Sequence, residues 1–105
     1  GVGQALMENI AFDADSGQLI SGSFMDYCLP RADDFCNMEI ISAPIPTESN
    51  LIGAKGGGES GPTGALPTTI NAVVDALKPL GVTHMDMPAT PERIWQTIQA
   101  AKSAN

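Results

Sequence analysis

Apolar residues form two helical stripes near the C-terminus and shorter alternating runs before them. Leu66, Ile70, Val73, Val74 and Leu77 recur at the spacing of one helix face. Pro67 suits that helix's first turn, and Pro79 with Gly81 ends it. Thr90 predicts the cap of a last helix, with Pro91 at its first position and Glu92 in its first turn. Ile94, Trp95, Ile98 and Ala101 make its apolar face, and the tail after it frays. At the other end, Ala5, Leu6 and Met7 favour a helix over 1–9, with Val2, Leu6 and Ile10 on one side.

The intervening chain reads as extended. Asp13-Ala14-Asp15-Ser16-Gly17 is a turn by composition, between Ile10-Ala11-Phe12 and Gln18-Leu19-Ile20, which predicts a β-hairpin. Residues 23–28 form a further extended run that Pro30 ends, and 31–35 a polar connection. Residues 37–43 suit a strand, stopped by Pro44 and Pro46. Residues 82–87 make a short extended segment between the last two helices. No internal repeat is present. The expected class is α+β: an N-terminal helix, short antiparallel strands, a glycine-rich loop over 47–64, and two C-terminal helices.

Composition narrows the partners. The 105 residues suit one domain, and 43% hydrophobic residues allow a modest core built on aliphatics and Met, since aromatics are only 5%. Met7, Met25, Met38, Met85 and Met87 read as core filler. A net charge of −7, from 12 acidic and 5 basic residues, argues against nucleic acid, whose affinity needs Lys and Arg on phosphates. It argues equally against an anionic membrane surface. No apolar run is long enough for a membrane span, and the start of the chain lacks a signal peptide's pattern. The chain opens at Gly1 inside a predicted helix, the mark of a stretch cut from a longer polypeptide.

Few residues offer chemistry. Cys28, Cys36 and the single histidine, His84, do not have zinc-ligand spacing. Two free thiols in a cytoplasmic protein and a hydrogen-bonded structural histidine are the expectation. Asp26, Arg31, Asp33 and Asp34 predict a local salt-bridge network. The run Lys55-Gly56-Gly57-Gly58-Glu59-Ser60 has neither the Gly-x-x-x-x-Gly-Lys order of a P-loop nor a dinucleotide fingerprint. It does place bare backbone N–H groups beside one carboxylate and one ammonium, and glycines let a backbone approach a bulky ligand closely. A carboxylate sheltered from water there suits a general base. The alternative is a small acidic protein-interaction module whose glycine run is a flexible linker.

Several segments, in order, resemble the molybdenum-binding large subunits of the xanthine oxidase family, and within it the carbon monoxide dehydrogenase-like branch. Gly3-Gln4-Ala5-Leu6-Met7-Glu8 is similar to that family's glycine-glutamine helix. Ser23-Phe24-Met25-Asp26-Tyr27-Cys28-Leu29-Pro30-Arg31-Ala32-Asp33 looks like its Met-Asp-Tyr stretch, and Gly53-Ala54-Lys55-Gly56-Gly57-Gly58-Glu59 like its Gly-Ala-Lys-Gly-x-Gly-Glu loop. Ala72-Val73-Val74-Asp75-Ala76-Leu77 resembles the helix after that loop, and the segments at 81–88 and 90–95 its closing strand and helix.

The resemblance implies residues 1–105 to be a C-terminal fragment of a molybdopterin-binding domain, with the active-site motif in loop 47–64. It implies hydroxylation of a carbon monoxide, aldehyde or N-heterocycle substrate at molybdenum held by molybdopterin cytosine dinucleotide. Glu59 takes the place of the glutamate that deprotonates the attacking oxygen. Lys55, Gly56 and Gly57 become cofactor neighbours, with Gln4 as a further contact. Electrons leave through iron–sulfur and FAD subunits. Neither cysteine occupies the position of the copper-holding cysteine of carbon monoxide dehydrogenases. The isolated chain, lacking the remainder of the large subunit, is expected to be inactive, to bind no molybdenum and to self-associate.

Overall fold

The computed structural model describes residues 1–104, among which three α-helices form: α1 (Val2–Leu6), α2 (Ser60–Leu77) and α3 (Pro91–Ser103). Single 3-10 turns lie at Ala32–Asp34 and Lys78–Leu80. No helix among these residues is long and apolar enough to cross a membrane.

Two of the helices follow the apolar stripes, with corrections. α3 begins where its cap predicts: the Arg93 N–H donates to Thr90 Oγ1 at 3.3 Å, and Pro91 opens the helix. Its Trp95 is exposed, so the stripe that packs on the core is the half-buried Ile94, Ile98 and Ala101. α2 starts six residues before Leu66, at Ser60, so Pro67 lies in its interior and the irregular loop is shorter than 47–64. A proline there has no N–H for the carbonyl one turn back. Beside it, the Thr68 and Thr69 hydroxyls donate to the Gly64 and Ala65 carbonyls, both at 2.7 Å. Packing explains the early start. A Cβ placed on Gly1 would lie 2.6 Å from Ala65 Cβ and 3.0 Å from Pro62 Cα, so α1 sits directly against the first turns of α2. Tertiary contact overrides the poor helix propensity of Gly61, Pro62 and Gly64. α1 itself is shorter than the 1–9 expected. The Met7 and Glu8 N–H groups both donate to the Gly3 carbonyl, at 2.8 and 2.9 Å, which closes the helix.

The short antiparallel strands do not form. Only the hairpin leaves a trace, an isolated antiparallel bridge between Phe12 and Leu19. Its turn is as predicted: Ser16 donates to Asp13 Oδ1 through its N–H at 2.8 Å and its hydroxyl at 2.6 Å. Residues 23–28 curl into a turn, while 37–43 and 82–87 contain no strand. A strand needs a partner for its backbone N–H and C=O groups. Among the described residues the 36–46 backbone finds none.

The core is correspondingly small. Leu77, Val82, Met85 and Ala89 are buried together, with Leu6, Ile70, Val73, Val74, Ile94 and Ile98 packed around them. Of the five methionines only Met85 is buried. Gly81 turns the chain from α2 into this core at φ +82°, a left-handed conformation that a Cβ disfavours. The radius of gyration is 18.2 Å, against about 13 Å for a compact domain of this length. The excess comes from the central segment, where Phe24, Met25, Ile40, Ile41, Leu51 and Ile52 stand in solvent.

Candidate functional site

Glu59 occupies the position immediately before α2, with φ −105° and ψ 2°. It does not cap the helix with its side chain, and its carbonyl accepts the Thr63 N–H at 3.1 Å. Ser60 folds the loop back onto this start, donating from its hydroxyl to the Gly57 carbonyl at 2.7 Å and from its N–H to the same carbonyl at 3.4 Å. Glu59 thus stands at a helix start, and its carboxylate has no partner among the described residues.

The loop before it is open. Lys55, Gly56, Gly57, Gly58 and Glu59 are all exposed, and none of their N–H groups has an acceptor among the described residues. A Cβ on Gly56, Gly57 or Gly58 would meet nothing within 4 Å. The glycines are therefore not required by neighbours in this chain. What they leave is a row of N–H donors, unpaired among the described residues and without side-chain bulk, a donor set that suits an anionic group of a bulky ligand. Upstream, the loop is anchored by Asn50, whose amide group exchanges hydrogen bonds with Ala54 N–H and C=O at 2.9 and 2.8 Å.

Gln4 is exposed on α1, which packs on α2. Gly3 is buried on the same helix, where a Cβ would lie 2.6 Å from Pro30 Cγ. Glu8, just past the helix, accepts a hydrogen bond from the Tyr27 hydroxyl at 3.1 Å. Sequence reasoning missed this pair, since nothing in the spacing links the two residues. The phenol is held above its ordinary proton affinity by partial desolvation and by the bond to Glu8.

Other chemistry-bearing residues stand apart. Cys28 and Cys36 are free and exposed. Arg31 forms no ion pair with Asp26, Asp33 or Asp34; its backbone N–H instead donates to Asp34 Oδ2 at 2.7 Å. His84 Nε2 lies 2.9 Å from Asp86 Oδ1, an exposed pair. Among the described residues no three metal-ligating side chains cluster. A groove of about 640 Å³ runs between Leu66, Ile70 and Val74 of α2 and the Val82, Met85 and Met87 segment. None of the predicted site residues lines it.

Residues 1–36 match the molybdopterin cofactor-binding domain. The chain is 40% identical to the carbon monoxide dehydrogenase large chain of Hydrogenophaga pseudoflava over 99 residues, which cover 94% of this chain and 12% of that one. The chain belongs to the xanthine oxidase family of molybdenum-binding large subunits. It is also 40% identical to the nicotine 6-hydroxylase large subunit of Paenarthrobacter nicotinovorans, over 90% of this chain and 11% of the relative. Its fold matches quinoline 2-oxidoreductase from Pseudomonas putida 86 at a TM-score of 0.82 and 39% identity, over 93% of this chain and 12% of that one. The chain thus spans about an eighth of the length of these family members.

Proposed function

We propose that this stretch of a molybdenum hydroxylase large subunit supplies the active-site base, Glu59. The supporting observation is the loop itself: a carboxylate at a helix start, preceded by three glycines with open space at every Cβ position. That arrangement admits a large cofactor to within contact of the carboxylate, which a loop with side chains would prevent. Glu59 Oε accepts the proton released as oxygen is transferred to substrate carbon. The free N–H groups of Gly56 and Gly57 and the Lys55 ammonium hold the anionic part of the cofactor, and Gln4 donates to it from α1. When bound, molybdopterin cytosine dinucleotide with its molybdenum supplies the transferred oxygen and takes up the two electrons. Iron–sulfur and FAD subunits carry those electrons away, and the remainder of the large subunit completes the cofactor site. The active enzyme works in the cytoplasm on a small carbon-centred substrate. The isolated chain is inactive and binds no molybdenum.

Glu59→Gln in the intact large subunit tests the assignment. Turnover is expected to fall by roughly 100- to 10,000-fold, the ordinary contribution of a general base, with molybdenum content unchanged. Retained turnover overturns the role of Glu59.

A further inference from the structure

Residues 37–46 carry Met38, Ile40, Ile41 and Ile45 in solvent, with Ile40 94% exposed. No backbone group from 36 to 46 has a hydrogen-bond partner among the described residues. Apolar side chains combined with an unpaired backbone suit a strand without its sheet. Side chains alternate faces along such a segment. Met38 and Ile40 share one face, and Ile41, Ala43 and Ile45 share the other. Each face thus carries apolar side chains, with Ser42 on the first and Glu39 on the second, the pattern of a strand covered at least in part on both sides.

The prolines add an asymmetry. In a strand, N–H groups of alternate residues point to opposite edges. Pro44 and Pro46 fall on the edge shared with Met38, Ile40 and Ser42, and remove two donors from it. The edge of Glu39, Ile41, Ala43 and Ile45 keeps every donor.

We propose that residues 37–46 pair as a β-strand, through the Glu39–Ile41–Ala43 edge, with an extended segment of the large subunit lying outside residues 1–105. This rests on the reading of the chain as part of such a subunit. The occupant follows from length: the same fold makes up only 12% of the quinoline 2-oxidoreductase chain, so abundant polypeptide is available to cover the segment. A second copy of this chain is the poorer partner, because it brings together two chains that each carry a net charge of −7.

Hydrogen–deuterium exchange on the intact large subunit tests this without any substitution. The amides of Glu39, Ile41 and Ala43 are expected to exchange at least about 100-fold more slowly than in the isolated chain, as ladder amides do. The amides of Met38, Ile40 and Ser42 are expected to be less protected. In parallel, Ile41→Pro is expected to abolish soluble, protease-resistant intact subunit, while Ile40→Pro, on the edge that already bears prolines, retains it. Rapid exchange at all three amides in the intact subunit, or protection confined to the even-numbered positions, overturns the proposal. So does equal protection in the isolated chain, which would assign the edge to a second copy. Molybdenum content, measured on the same preparation, separates the two readings. A subunit that holds molybdenum but leaves 37–46 unprotected sinks the strand alone; protection in a subunit without molybdenum sinks the hydroxylase reading and leaves the pairing.

Discussion

The Ala89 N–H donates to the Ala5 carbonyl at 2.7 Å, and both residues are 0% exposed. This bond ties α1 to the segment that enters α3, so the two ends of the chain close over α2. Both side chains are small and fully buried at this junction. Ala89→Leu adds volume where none is free and is expected to cost about 1–3 kcal/mol. The check is the urea midpoint of the helical circular dichroism signal; a midpoint equal to that of the unsubstituted chain would show that the junction has room.

Two glycines separate a folding role from a binding one. Gly81 sits at φ +82°, and Gly81→Ala is expected to cost about 1–2 kcal/mol, the penalty for a Cβ in left-handed backbone. Gly57 has ordinary backbone and empty space where a Cβ would go. Gly57→Val is therefore expected to leave the unfolding midpoint within about 0.5 kcal/mol of its starting stability. In the intact subunit the same change is expected to lower molybdenum content, because the side chain fills the space assigned to the cofactor. Full molybdenum loading in that variant would move the cofactor away from this loop.

The C-terminal half was more legible than the centre, for a physical reason. α3 is announced by local signals, Thr90, Pro91 and Glu92, whose effects act within one turn. The first turns of α2 were not legible, because Gly61, Pro62 and Gly64 are helical only through contact with α1. The runs at 23–28 and 37–43 have strand composition but no partner within residues 1–104, and pairing is not a local property. At the candidate site, composition and spacing left Glu59 as an exposed loop carboxylate, which is also how the structure presents it. Its proposed role comes from the ordered set of family motifs around it.

Tyr27 gives a pH-dependent readout, since it is the only tyrosine in the chain. Its phenol is raised above the ordinary value of 10.0, first by desolvation and then by its hydrogen bond to Glu8. A group raised on folding contributes stability that is fully present below its unfolded value and is lost as pH rises through its folded value. The tie between α1 and the 23–28 turn is thus intact at neutral pH and is expected to fail above pH 10. The tyrosinate absorbance of the folded chain should rise later than that of the urea-unfolded chain. Glu8→Gln should bring the two titrations closer together. Coincident curves in the unsubstituted chain would show that the Tyr27–Glu8 bond does not form.

The isolated chain should also be poorly behaved in a specific way. Phe24, Met25, Ile40, Leu51 and Ile52 have exposed side chains, and such apolar patches drive association. A symmetric dimer would bury one patch twice, but these residues lie on separate stretches of an extended shape measuring 57 × 40 × 27 Å. Association is therefore expected to be open-ended, with a sedimentation profile that broadens as concentration increases. Added salt should strengthen it, because screening weakens repulsion between chains of charge −7 while leaving apolar contact intact. Replacing Ile40 and Ile41 together with Ser should reduce it, since that pair adds exposed apolar area to an unpaired backbone. A single sharp monomer boundary at every concentration and salt level would mean that the central segment folds over its own apolar residues in solution.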